Sequence, residues 1–292
     1  MIDFKEKANL IWSVADLLRG DYKQADYGKV ILPLTVLRRL DCVLEPTKQK
    51  VLNYLPKVEK KSQSAIDVTL NKVAGHNFHN RSLYNFKKLV ADPDNIAANL
   101  RNFINGFSSS AREIIEIFNF DEQIVRMDTA NLLYLVVKRF EEINLSNMES
   151  DDMGYVFEDL IRRFAELSNE TAGEHFTPRE VIRLMVNVLL NEDAQRELNK
   201  PGIVKTLYDP ACGTGGMLSI AEKYLRELNP DARLEVFGQE INPESYAICK
   251  SDMLIKGQNP SNIKFGNTFT VDGLEYEIFD YMLSNPPLRL WR

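Results

Sequence analysis

Four short stretches in the second half of the chain hold the residues best suited to chemistry. Asp209-Pro210-Ala211-Cys212-Gly213-Thr214-Gly215-Gly216 follows the apolar run Ile203 to Tyr208 and precedes a helix-like segment. A strand that ends in a carboxylate and turns through glycines into a helix can bring backbone N–H groups against a small ligand. The spacing is not G-x-G-x-x-G, and a bare strand-to-helix turn would use the same residues. Glu240 ends the next apolar run, where a carboxylate can accept two hydrogen bonds from ribose hydroxyls, which suggests an adenosine-containing cofactor. Thr177-Pro178-Arg179-Glu180 has the composition of a capped helix start, with Thr177 as N-cap, Pro178 at the first helical position and Glu180 closing a capping box. Free backbone donors and an arginine there could hold a carboxylate. Finally, Asn285-Pro286-Pro287 follows a buried run. Its prolines fix the backbone and remove two donors, so the Asn285 side-chain oxygen and the Pro286 carbonyl could both accept from one exocyclic amine. Those acceptors would stabilise positive charge developing on the nitrogen as it attacks, with no acid, base or covalent nucleophile required.

The elements that must position these residues differ between the two halves of the chain. Up to residue 168 the apolar spacing is helical almost throughout. Phe4, Ala8, Ile11, Trp12, Ala15 and Leu18 form one stripe, and Tyr27 to Leu44 a second helix that either kinks at Pro33 or starts later. Shorter pieces are expected around Gln49 to Leu55 and Leu83 to Val90. Asp92-Pro93 should cap a helix carrying Ile96, Leu100 and Phe103, and Ser110 one carrying Ile114, Ile115 and Phe118. Leu132, Leu133, Leu135, Val136 and Phe140 predict another helix, and Ser150 to Ser168 the last. The polar segment Asn169 to Phe176 is the expected domain boundary, after which Val181, Leu184, Met185 and Val188 should face a core. Strands are predicted at Ile203 to Tyr208, Leu234 to Gly238, Asn262 to Phe265 and Ile278 to Leu283, alternating with helices. That β/α ladder predicts a parallel doubly wound sheet with ligands at the carboxyl ends of its strands.

Composition sets the outer bounds. A chain of 292 residues, 44% hydrophobic and 27% charged, is a two-domain globular protein with a sizeable core. Neither a membrane-spanning apolar run nor a signal peptide is present, so a cytoplasmic location is expected. Cys42, Cys212 and Cys249 have no metal-site spacing and read as small reduced core or turn residues, and His76, His79 and His175 make no zinc pattern. The net charge of −6 argues against a protein that wraps nucleic acid over its whole surface. A local excess of cations remains between Thr47 and Val90: Lys48, Lys50, Lys57, Lys60, Lys61, Lys72, Arg81, Lys87 and Lys88 against Glu59 and Asp67. It is a solvated face or a contact for phosphates or an acidic partner.

Taken together, the stretches resemble S-adenosylmethionine-dependent DNA adenine-N6 methyltransferases of the gamma class. Asp209 to Gly216 is similar to their motif I, Asn285-Pro286-Pro287 to motif IV, and Glu174-His175-Phe176-Thr177-Pro178-Arg179 to motif X, in the order X, I, IV. The helical half, with Leu17-Leu18-Arg19-Gly20 and Val36-Leu37-Arg38-Arg39-Leu40-Asp41, resembles the N-terminal domain of the modification subunit of type I restriction-modification systems. The resemblance implies an α plus α/β fold: a helical N-terminal domain over 1–168, then a truncated Rossmann-like S-adenosylmethionine-dependent methyltransferase sheet over 169–292. It also implies residue roles. Glu174, His175, Phe176, Thr177, Pro178 and Arg179 would enclose the methionine end of the cofactor. Asp209, Ala211, Gly213, Thr214, Gly215 and Gly216 would hold its amino-acid part and the adjoining ribose region, and Glu240 the ribose hydroxyls. Asn285, Pro286, Pro287 and Leu288 would form the catalytic motif around a flipped adenine. The partners implied are DNA, a specificity subunit, a second modification subunit and a restriction subunit.

Two positions depart from the family pattern. Leu288 stands where the family has Phe or Tyr, a lost stacking face of roughly 1–3 kcal/mol, and Asn267, the expected cofactor-adenine contact, stands where it usually has Asp. Four strands are readable where about three more are expected, so the expectation is a fragment that is inactive alone. The rival readings are a protein-glutamine N-methyltransferase, which shares the Asn-Pro-Pro motif, and a non-catalytic binding or assembly module. A nucleotide-dependent dehydrogenase is disfavoured by the glycine spacing.

Overall fold

In the computed structural model, residues 4–167, 177–194 and 197–286 are described, side chains 150, 151 and 192–194 excepted. Two compact units divide the chain, Met1–Met148 with Met253–Gly257, and Glu149–Asp252 with Gln258–Arg292. The boundary therefore falls before the helix beginning at Ser150, not after Ser168, because that helix packs with the second unit.

The first unit is built on α3 (Gly28–Leu44), of whose residues thirteen are buried, Pro33 among them. A helix apolar on nearly every side belongs at the centre, and α1 (Phe4–Trp12), α9 (Phe120–Thr129) and α10 (Leu133–Glu141) pack on it. It starts upstream of Pro33, with the Tyr27 carbonyl accepting from the Val30 and Ile31 N–H groups, which excludes the later start. Around this centre stand α2 (Val14–Leu18), α4 (Lys48–Tyr54), α5 (Gln63–Ala74), α6 (Phe86–Val90), α7 (Ile96–Asn105) and α8 (Ser109–Glu116). Phe86, Phe103 and Phe107 form an edge-to-face chain in the core, with centroids 5.8 and 5.1 Å apart.

Arg38 and Arg39, whose motif drew attention in the sequence, hold backbone. Arg38 donates to the Glu141 and Ile143 carbonyls, and Arg39 to those of Leu145 and Met148. They satisfy carbonyls at and past the end of α10 that have no intrahelical donor.

Several local expectations shift. Pro93–Asn95 is a 3-10 turn and α7 begins at Ile96, because the Asp92 carboxylate accepts from the side-chain amides of Asn95 and Asn99 instead of capping backbone. Ser108 precedes α8, so Ser110 lies inside it. Phe118 lies past its end, half-buried. Leu135 is exposed, and α6 begins at Phe86 with Asn85 as its cap.

In the second unit α11 (Ser150–Leu167) and α12 (Arg179–Ala194) precede a four-stranded parallel sheet of order β3-β2-β1-β4. Its strands are β1 (Val204–Asp209), β2 (Arg233–Glu240), β3 (Ile263–Phe265) and β4 (Tyr281–Met282). The crossover helices are α13 (Gly216–Leu228) and α14 (Pro243–Lys256). The order reverses between β1 and β4, the place where open α/β sheets form a ligand crevice.

Only two residues of the run expected from Ile278 pair as β4, and Ile278 is exposed. Asp280 is the reason: its carboxylate takes the Thr206 N–H and hydroxyl at 2.8 and 2.9 Å, occupying a donor that a longer ladder would need. On α12 the buried face is Arg179, Ile182, Val186 and Leu190, while Val181, Leu184 and Val188, expected inward, are exposed.

Candidate functional site

Asp209 and Glu240 end the two central strands side by side, and the glycine turn runs between them. The Asp209 carboxylate is 1% exposed and accepts from the Ala211 N–H at 3.0 Å. Burial pushes its pKa up to about 7; the Ala211 N–H and the Ser284 hydroxyl oppose the rise, and the Glu240 charge adds to it. Glu240 binds both neighbouring turns, one oxygen accepting from the Gly213 N–H at 2.8 Å and the other from the Asn242 N–H at 2.7 Å. Each carboxylate oxygen retains a second lone pair for a ligand hydroxyl.

The turn needs its glycines for different reasons. Gly213 has φ 55° and faces open space, whereas Gly215 has φ 89° and a Cβ there would stand 2.9 Å from the Cys249 sulfur. The Cys212 N–H donates to the Gln239 carbonyl and the Gly215 N–H to the Cys212 carbonyl, while the Thr214 N–H makes no hydrogen bond among the described residues. With the first turn of α13, whose leading N–H groups lack intrahelical acceptors, it leaves donors facing outward.

Gln239, fully buried and not singled out from sequence, fixes the loop above the turn. Its amide donates to the Val271 carbonyl at 2.7 Å and accepts from the Gly273 N–H at 3.0 Å. Thr268 of that loop donates to the Pro210 carbonyl at 2.6 Å. Asn267 turns its side-chain oxygen onto the Phe269 N–H of its own loop, at 2.9 Å. Ile241, directly after Glu240, is half-exposed and offers an apolar face at the strand end.

Arg179 does not stand open to a ligand. It is 2% exposed, donates through Nε and Nη2 to the two Glu158 oxygens at 3.1 Å each, and stacks 4.0 Å from the Tyr155 ring. A Cβ on Gly154 would lie 2.1 Å from its Nη2, so α11 leaves a glycine gap that the guanidinium fills. Glu158 also touches the glycine turn, since a Cβ on Gly216 would lie 3.1 Å from its Oε1. The expectation that Arg179 offers a free positive charge is thus corrected; sequence reading missed Glu158, whose only signal was its i,i+4 spacing from Gly154. The helix itself opens at Arg179, so Pro178 takes the N-cap place and its carbonyl accepts from Val181 and Ile182. The Thr177 hydroxyl instead accepts from the Asn285 amide, at 2.9 Å.

Of the residues proposed from sequence, the structure thus gathers Asp209, Ala211, Gly213, Thr214, Gly215, Gly216 and Glu240 around one turn and joins Thr177 to Asn285. Pro286 follows, exposed. Glu174, His175, Phe176, Pro287 and Leu288 lie outside the described residues.

Comparison with known proteins gives two adjoining family matches, N-6 DNA methylase over residues 148–290 and the HsdM N-terminal domain over residues 7–140. The second half of the chain is thus similar to the N-6 DNA methylase family and its first half to the HsdM N-terminal domain. The chain is 27% identical over 300 residues to the type I restriction enzyme MjaIX methylase subunit of Methanocaldococcus jannaschii, a match that covers 97% of this chain and 51% of that protein. It is also 27% identical over 204 residues to the type I restriction enzyme EcoEI methylase subunit of Escherichia coli, covering 66% of this chain and 39% of that one. The chain thus spans about half the length of the first relative and less of the second. A crystal structure of a type I restriction-modification system methyltransferase subunit from Streptococcus thermophilus superposes with a TM-score of 0.70 at 23% identity, over 97% of this chain and 63% of that one. The N-6 DNA methylase match begins at residue 148, one residue before the second compact unit, and so includes α11 with the sheet.

Proposed function

We propose that the chain acts within the modification subunit of a type I restriction-modification system, directing a methyl group from S-adenosylmethionine to the N6 amine of adenine in DNA. The observation that carries this is the pairing of two carboxylates, Asp209 and Glu240, across a glycine turn at the carboxyl ends of β1 and β2, with Asn285 following β4, the other neighbour of β1. The donor set fits that cofactor. Gly213 faces open space, two carboxylates match ribose hydroxyls and a cationic amino-acid end, and no cation is among the groups that shift Asp209.

When bound, S-adenosylmethionine supplies an electrophilic methyl on a sulfonium. The chain's part is placement and electrostatics. Glu240 would accept the ribose hydroxyls, and Asp209 with the Thr214, Gly215 and Gly216 backbone would hold the amino-acid part. Ile241 would pack on the base. The Asn285 side-chain oxygen and the Pro286 carbonyl would accept the two amine hydrogens and turn the nitrogen lone pair toward the methyl. A target base inside a duplex must first leave the stack, at a few kcal/mol.

The relatives' names, all methylase subunits of type I restriction enzymes among those compared, favour a DNA base over a protein glutamine amide. They likewise suit a specificity subunit as a partner, while a second modification subunit and a restriction subunit rest on the family resemblance alone. The direct test supplies the full-length protein and its specificity subunit with labelled S-adenosylmethionine and unmethylated DNA. Label recovered as N6-methyladenine supports the reading, and label recovered in protein or nowhere sinks it.

A further inference from the structure

Asn285 has to present an oxygen, not an NH2 group, to an incoming amine. Nothing in the residue itself ensures this, because the terminal torsion of asparagine is broad and roughly two-fold and either edge can face the crevice. In the structure the Thr177 hydroxyl oxygen accepts from Asn285 Nδ2 at 2.9 Å, and once its single hydrogen is given to another acceptor, such as a ligand carboxylate, it can do nothing but accept from that amide. With the NH2 edge committed there, the Oδ1 edge is left for a ligand.

Thr177 is itself held in place. Pro178 restricts the backbone directly after it, and Arg179, one residue further, is buried in the bidentate pair with Glu158 and stacked on Tyr155. Glu158 also abuts Gly216 of the glycine turn, so one buried carboxylate locates both the cofactor turn and, through the start of α12, the partner of Asn285. A hydroxyl has one hydrogen to give and two lone pairs. Thr177 can therefore accept from Asn285 and still donate to a ligand carboxylate, so both roles are compatible in one side chain.

We propose that Thr177 is a positioning residue that sets the amide orientation of Asn285, an inference that rests on Asn285 being the acceptor of the target amine. The test compares Thr177→Val, which keeps shape and loses the acceptor, with Thr177→Ser, which keeps it, in the full-length protein after equal melting temperatures have been verified. Thr177→Val should lower kcat for methyl transfer, measured at saturating S-adenosylmethionine, on the order of 10- to 100-fold beyond any loss of cofactor affinity, and Thr177→Ser should restore most of the rate. A second measurement needs no activity: in the 15N-asparagine-labelled chain, exchange of the Asn285 side-chain amide, assigned by its loss in Asn285→Asp, should be slow in the wild type and Thr177→Ser and fast in Thr177→Val. Unchanged kcat in Thr177→Val, or a loss confined to cofactor affinity, overturns the positioning role. So does equal amide exchange in wild type and Thr177→Val. Failure of the wild type to methylate DNA with exchange as expected instead overturns the underlying reading of Asn285.

Discussion

A cationic ligand binding at the end of β1 should expel a proton. Asp209 is almost wholly buried, and burial together with the Glu240 charge raises its pKa from 3.8 to about 7. A cation placed beside it binds the ionised form, so binding and deprotonation are linked. If only the carboxylate form binds, the apparent affinity for S-adenosylmethionine should fall about twofold at pH 7 and about elevenfold at pH 6 relative to pH 9, with roughly half a proton released per ligand at pH 7. Calorimetric titrations in buffers of different ionisation heat measure that release directly. Asp209→Asn supplies the control, since its remaining pH dependence is the ligand's own. An affinity that is flat from pH 6 to 9 in the wild type, or identical profiles in the wild type and Asp209→Asn, would refute the assignment of Asp209 to the ligand's cationic end.

Glu158→Ala should cost about 3–5 kcal/mol, read from urea midpoints, because it leaves the Arg179 guanidinium buried and unpaired at that carboxylate. A loss under 1 kcal/mol would show that the pair does not organise the start of α12. His79 predicts an acid limb in the stability of the helical unit. Burial lowers its pKa from 6.5 to about 4, so the native state holds the ring neutral and stability is lost as pH falls from 6.5 through 4, by up to roughly 3 kcal/mol. His79→Gln should flatten that limb, and an unchanged limb would place the effect on other groups.

The placement of the glycine turn, Glu240 and Asn285-Pro286 at or just after strand ends was legible because short apolar runs mark strand ends well. The inward face of α12 was not. Val181, Ile182, Leu184, Met185, Val186, Val188 and Leu190 surround the helix with apolar side chains, so spacing alone allows several faces. The face is chosen by Arg179, whose buried pair with Glu158 turns Ile182, Val186 and Leu190 inward. A charged residue within the buried stripe is invisible to a hydrophobic pattern. Two helices of the first unit were missed for a related reason. α5 buries only Ile66, Leu70 and Ala74, and α9 only Phe120, Ile124 and Met127, among polar neighbours that dilute the period.

The burial of Arg179 also changes the electrostatic argument for what the crevice accepts. With its charge committed to Glu158, the ionisable groups at the ends of β1 and β2 are Asp209 and Glu240. An acidic crevice attracts a sulfonium and an ammonium but repels phosphate. If a duplex delivers a base there, as proposed above, its attraction has to come from elsewhere, where cations have no carboxylate partner. In the helical unit, eight Lys and Arg residues from Lys50 to Lys88 meet that condition among the described residues: none forms an ion pair, while Arg19, Lys29, Arg38, Arg101, Arg112, Arg126 and Arg139 all do, and Lys48 is held inward by the Asn80 side-chain oxygen. A local cationic surface of that kind is compatible with the overall charge of −6.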